Sequence, residues 1–253
     1  MFVAKRLIAR SLGDIHQTLY RTTLTGNRIV TFHAIETHVD GDQNEIYNMS
    51  RGTFESHVRV LGDLKDSLGI IPLTPIDMNG ESSLAISFDD GYASTLTTAA
   101  PMLLANSIPF TVFVTPDLVM SRDDRYLDVT QLIELSQLSG VSIGAHGYRH
   151  TPLAEIDPSK RLSELTTARE WLENTLQQEV TSMSYPFGST PDGICADVMT
   201  AGYSTAACSQ WGFNDSHTDP LMLRRLDLWE GDSERVVRSK ILGHWNWLPM
   251  NSQ

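Results

Sequence analysis

Residues 83–91 read Ser83-Leu84-Ala85-Ile86-Ser87-Phe88-Asp89-Asp90-Gly91. An apolar run containing the β-branched Ile86 stops abruptly at two adjacent carboxylates and a glycine. A run this short, apolar on both faces and ended by turn residues, reads as a buried strand of a parallel sheet. A second stretch, Val141-Ser142-Ile143-Gly144-Ala145, ends in the same abrupt way at His146-Gly147-Tyr148-Arg149-His150. Working outward, the pattern alternates. Strands are expected at 28–35, 83–88, 109–115, 141–145, 181–185, 203–207 and 223–228. Helices are expected at 53–68, 92–106, 129–138, 159–178, 192–201 and 233–242. The clearest helix is 159–178, where Pro158 and Ser159 suit the start and Leu162, Leu165, Ala168, Leu172 and Leu176 recur at helical spacing. Strands alternating with helices imply βαβ units. About seven parallel strands in one domain fit a (β/α) barrel better than an open sheet. Catalytic groups in such barrels sit at the C-terminal ends of strands, which is where Asp89, Asp90 and His146 fall.

The 253 residues suffice for one sizeable core, and 41% hydrophobic with 20% charged residues is ordinary for a globular protein. A net charge of −12 argues against nucleic acid as a partner, because binding it needs a basic face. The charge is uneven: residues 1–28 carry Lys5, Arg6, Arg10, Arg21 and Arg28 against Asp14 alone. Residues 1–27 are therefore read as a basic helical extension, a solvated helix packed on the barrel in the first place with peripheral contact to a membrane or partner as the alternative, and residues 28–253 as the catalytic domain. No run approaches the ~20 apolar residues of a membrane span, and no signal-peptide pattern is present. Cys195 and Cys208 do not make a disulfide framework. The resulting expectation is a cytoplasmic protein, placed at the inner face of the membrane if the basic segment binds there.

Asp89-Asp90 pairs two carboxylates whose mutual repulsion is relieved when one binds a cation. Neighbouring side chains on an extended backbone diverge, so the two can take different jobs. Neutral imidazoles such as His146 and His150 are good ligands for zinc and similar metals. Gly144 and Gly147 speak against a helix here, so a strand-end loop must turn both rings inward. Taken singly, Asp-Asp-Gly and His-xxx-His also occur as plain polar loops. Together, two histidines and one carboxylate make three ligands with positions left open, as in catalytic metal sites.

These segments, with Tyr185-Pro186-Phe187-Gly188 after them, resemble the polysaccharide deacetylases of the NodB-homology type, carbohydrate esterase family 4. The resemblance covers roughly residues 28–230, and Val30-Thr31-Phe32-His33-Ala34-Ile35 resembles the early part of bacterial members. It implies a distorted barrel and metal-dependent removal of acetyl, N-acetyl first, from a sugar or polysaccharide. It implies Asp89 as general base and Asp90, His146 and His150 as ligands of a divalent ion: zinc in the first place, with cobalt, nickel or manganese as alternatives. Tyr185 and Phe187 are the expected substrate contacts, and the backbone N–H groups near Tyr185 a candidate oxyanion donor. Tyr148 and Arg149 are expected to shape the pocket.

Two departures stand out. Many members carry an arginine before the third motif that orients the base; this chain has Ser184 there. Arg225, in the late strand Leu223-Arg224-Arg225-Leu226-Asp227, is the candidate replacement. The family's final Leu-x-x-His, whose histidine is the acid, is matched only by Ile241-Leu242-Gly243-His244, so His244 is assigned that role, with His33 and His217 as weaker candidates. The Tyr-Pro-Phe-Gly form resembles the branch of exopolysaccharide and surface-glycan biosynthesis. The alternatives are a hydrolase of another acyl or amide substrate on the same fold, or an impaired relative that only binds glycans.

Overall fold

The computed structural model describes residues 26–42, 46–71, 73 and 82–245. The basic segment lies outside the described residues, apart from its last two positions. Nine strands are described: β1 (Arg28–Phe32), β2 (Ala34–Ile35), β3 (Asn48–Met49), β4 (Leu84–Phe88), β5 (Phe110–Val114), β6 (Val141–Ala145), β7 (Ser182–Ser184), β8 (Thr205–Trp211) and β9 (Leu223–Asp227). Seven of them close into a barrel in the order β1-β4-β5-β6-β7-β8-β9, every pairing parallel. The α-helices are α1 (Arg51–Leu68), α2 (Ala100–Ala105), α3 (Pro116–Met120), α4 (Val129–Ser136), α5 (Pro158–Leu176), α6 (Ile194–Thr200) and α7 (Glu234–Ile241).

Alternation along the strands divides the packing. Val30, Phe32, Leu84, Ile86, Phe88 and Phe110 belong to the main core between barrel and helices. There Phe32 and Phe88 stack at 5.3 Å, and Phe54 of α1 meets the Phe32 ring edge-on at 5.3 Å. A smaller cluster of Ile29, Leu73, Ala85, Phe113, Ala207 and Leu223 plugs the barrel from inside. Nearer the C-terminal ends the interior turns polar, with Thr31, Asp89, Ser184 and Arg225 joined across strands that are not all neighbours.

The helix ends follow local chemistry. Ser50 caps α1 by accepting from the Thr53 N–H, and Asp128 with Gln131 forms a reciprocal capping box at α4. Three expected elements differ. The strand expected at 28–35 breaks at His33, because Ala34 and Ile35 leave the barrel to pair with Asn48 and Met49. The helix expected at 92–106 begins as a π-turn at Thr95–Ala99 before becoming α-helical. The strand expected at 203–207 runs from Thr205 to Trp211, its register with β9 shifting between Ala207 and Trp211. No helix of the described residues is long and apolar enough to cross a membrane.

Candidate active site

The C-terminal ends of the strands open into a cavity of about 240 Å³. Its lining includes His33, Asp89, Asp90, His146, His150 and Arg225. The parallel ladder puts them there. Phe32 is opposite Phe88, so His33 and Asp89 leave adjacent strands at one level, and the Asp89 N–H donates to the Phe32 carbonyl at 3.0 Å. His146 follows Ala145 at the end of β6, its N–H donating to the Val114 carbonyl at 2.9 Å.

Asp89 and Asp90 diverge, but not on the extended backbone expected: the chain turns sharply there and Asp90 takes φ +72°. Asp89 turns to the barrel interior and meets Arg225 in a two-pronged pair: Nη1 to Oδ1 at 2.7 Å and Nη2 to Oδ2 at 2.8 Å. The Ser184 hydroxyl donates to Asp89 Oδ2 at 3.1 Å and accepts from Arg225 Nη2 at 2.9 Å. Arg225 also donates to Thr31 Oγ1 and the Cys208 carbonyl. Burial, the largest single influence, pushes the Asp89 carboxyl up, but the Arg225 guanidinium and His146 together outweigh it and hold the group down at about 2.

Asp90 faces the histidines. His146 Nε2 lies 3.3 Å and His150 Nε2 3.1 Å from the same oxygen, Asp90 Oδ1. One donor atom from each residue falls within 4.8 Å of the others. The second nitrogen of His146, Nδ1, is 2.9 Å from the Ser184 carbonyl, which points Nε2 into the cavity. Burial opposes the charge on Asp90, yet the imidazoles hold its carboxyl well below the usual range. His146 is likewise opposed by burial, and Asp89 and Asp90 push it up. Two convergent imidazoles, a carboxylate, and a backbone carbonyl orienting one ring make a donor set that fits a divalent metal ion.

Other expected residues divide. Phe187 lines the cavity, is 46% exposed, adopts φ +55°, and lies 4.5 Å from the His150 ring. Tyr185 also lines it, though its ring is buried and its hydroxyl donates to the Leu221 carbonyl. The Tyr185 N–H donates to Ala207 at 3.0 Å, so the β8 carbonyl takes the proton expected for an oxyanion. Tyr148 and Arg149 are outside the cavity lining, as is His244, which is buried just after the end of α7. His33 is the third histidine of the cavity lining, and its charge is among those acting on Asp89, Asp90 and Asp227. The sequence signal for it was weak: one histidine directly after an apolar strand. The wall residues Tyr47, Tyr92, Tyr126 and Asp227 had no motif to mark them.

A sequence model of the polysaccharide deacetylase family matches residues 77–206, slightly more than half the chain. The chain belongs to the polysaccharide deacetylase family. The matched segment holds Asp89, Asp90, His146, His150 and the Tyr185–Gly188 turn, while His33 and Arg225 fall outside it. YxkH of Bacillus subtilis (strain 168), named as a polysaccharide deacetylase, is 26% identical over 164 residues. That match covers 63% of this chain and only 58% of the relative's length. Among solved structures, the Streptococcus pyogenes deacetylase PplD in complex with acetate superposes with a TM-score of 0.74 at 19% identity, over 87% of this chain and 99% of its own. IcaB from Ammonifex degensii gives 0.70 at 20% identity, over 88% and 99%. At such identities these two establish a shared fold.

Proposed function

We propose that this deacetylase-family chain is a metal-dependent hydrolase that removes acetyl, N-acetyl first, from a sugar or polysaccharide. The observation that carries the reading is the division of labour between adjacent carboxylates: Asp89 gripped by Arg225, Asp90 facing two imidazoles. Asp90, His146 and His150 would hold the ion. When bound, a divalent ion there supplies Lewis-acid polarisation of the acetyl carbonyl and lowers the pKa of water.

The chain's own residues supply the rest. Asp89 stays ionised beside Arg225 and takes the proton from the attacking water at a carboxylate oxygen. Arg225 and Ser184 aim that carboxylate. His33, which leaves β1 beside Asp89 and lines the cavity, gives a proton to the leaving amine; it takes the place of His244, which is not part of the cavity lining. Phe187 offers an exposed ring face to the sugar, and Tyr185 forms the adjoining wall. Acetate and an amino sugar leave.

The test is acetate release from N-acetylated oligosaccharides by protein loaded with Zn²⁺ or Co²⁺, against chelated protein. Release that stops on chelation and returns with metal supports the reading. Full activity in metal-free protein would overturn it. Metal uptake and glycan binding without acetate release would favour the impaired, binding-only relative instead.

A further inference from the structure

Between the two histidines, the segment Gly147-Tyr148-Arg149 is a tight loop bracketed by left-handed residues, Gly147 at φ +66° and His150 at φ +54°. Glycine is required at the first: a Cβ there would lie 2.9 Å from the Pro186 ring. The two residues between present consecutive backbone N–H groups to one side. Such a pair forms a concavity suited to an anion. The anion comes from the protein. Glu164 of α5 is buried, and its Oε1 accepts from the Tyr148 N–H at 2.9 Å and the Arg149 N–H at 2.7 Å.

The histidines are held unequally. His146 is fixed twice without this loop, through its N–H on Val114 and its Nδ1 on the Ser184 carbonyl. His150 is half-buried and reaches Asp90 from a strained backbone position, which persists only where the surroundings over-determine it. We propose that Glu164 is a positioning residue for the metal centre: its carboxylate clamps the loop so that His150 Nε2 is delivered to the Asp90 oxygen. Nothing in the sequence motifs marks Glu164, which lies fourteen positions beyond His150 on another element. The inference rests on the metal reading above.

The test measures the dissociation constant for Zn²⁺, and the visible spectrum with Co²⁺, on full-length wild type, Glu164→Asp, Glu164→Gln and Glu164→Ala, with the fold checked by circular dichroism. Asp keeps the charge but withdraws the oxygen by one methylene, while Gln keeps an acceptor at full reach. Removing an outer partner of a metal ligand typically costs about 10–100-fold in affinity. Asp and Ala are expected to lose that much and to alter the Co²⁺ spectrum, and Gln to recover most of it. If Ala does not fold, the Asp and Gln pair decides. A folded Asp variant with wild-type affinity and spectrum overturns the clamp but leaves the metal reading standing. Wild type that takes up neither ion overturns both.

Discussion

Asp89 and Asp90 are neighbours in the chain and opposites in surroundings, one against a guanidinium and one against two imidazoles. Asp89→Asn should therefore keep the metal and lose turnover, since removing a general base costs about 10²–10⁴ in rate. Metal analysis and kcat on the same sample check this, and a metal-free Asn variant with an intact fold would reverse the two roles. Arg225 is 3% exposed and touches four groups of the barrel interior. Breaking a buried pair strands the remaining charge at about 3–5 kcal/mol. Arg225→Ala should lose stability on that scale and drop kcat far more than it raises KM. Arg225→Lys should rescue little, because an ammonium cannot match both oxygens of Asp89. For the acid, His33→Ala should lower kcat at least tenfold, whereas His244→Ala, judged per folded molecule, should leave kcat near wild type. The reverse ranking would return the role to His244.

Elements explain why these side chains meet, and why only part of the meeting was legible in the sequence. Strands β4 and β6 announce themselves, because apolar runs end at residues that a turn alone does not need. The pairing order then follows from βαβ logic, and it brings Asp90 to the histidines without any further signal. Arg225 was legible only as a substitute for the arginine absent at Ser184. That β9 delivers it beside Asp89 depends on barrel closure, which no local pattern encodes. His33 is hard to recognise in the sequence, because a lone histidine after a strand carries little information until Phe32 and Phe88 are seen in register. Glu164 was invisible, because a helix-borne carboxylate reads as solvated surface. One glycine tests the element scale directly. A Cβ on Gly144 in β6 would come 2.6 Å from the Phe113 ring and 2.7 Å from Ser182 Oγ. Gly144→Ala should thus cost about 1–3 kcal/mol by overpacking, seen as a lower denaturation midpoint. Because His146 follows two residues later, metal affinity should weaken as well. A variant as stable as wild type would mean that the barrel interior yields more readily than its packing indicates.

At the scale of the molecule, Asp90, His146 and His150 tie together segments that are distant in sequence and meet only when the barrel is closed. Asp90 follows β4, while His146 and His150 follow β6, with β5 lying between the two strands. The unfolded chain has no such three-donor site, so an ion bound there adds to folding stability by mass action. At a free concentration of one hundred times the dissociation constant, the gain is about 2.7 kcal/mol. For a domain of this size each kcal/mol moves Tm by about 2–4 °C, so Zn²⁺ should raise Tm by roughly 5–11 °C and a chelator should reverse the rise. Asp89→Asn should retain most of the rise, since its carboxylate pairs with Arg225 and lies 4.0 Å from His146 Nε2, outside the three converging donors. His146→Ala should abolish it, since two donors remain where three converged. A Tm indifferent to both Zn²⁺ and chelator, with His146→Ala no different from wild type, would show that the convergence on Asp90 Oδ1 is an ordinary buried hydrogen-bond cluster and that the barrel closes without help from a metal ion.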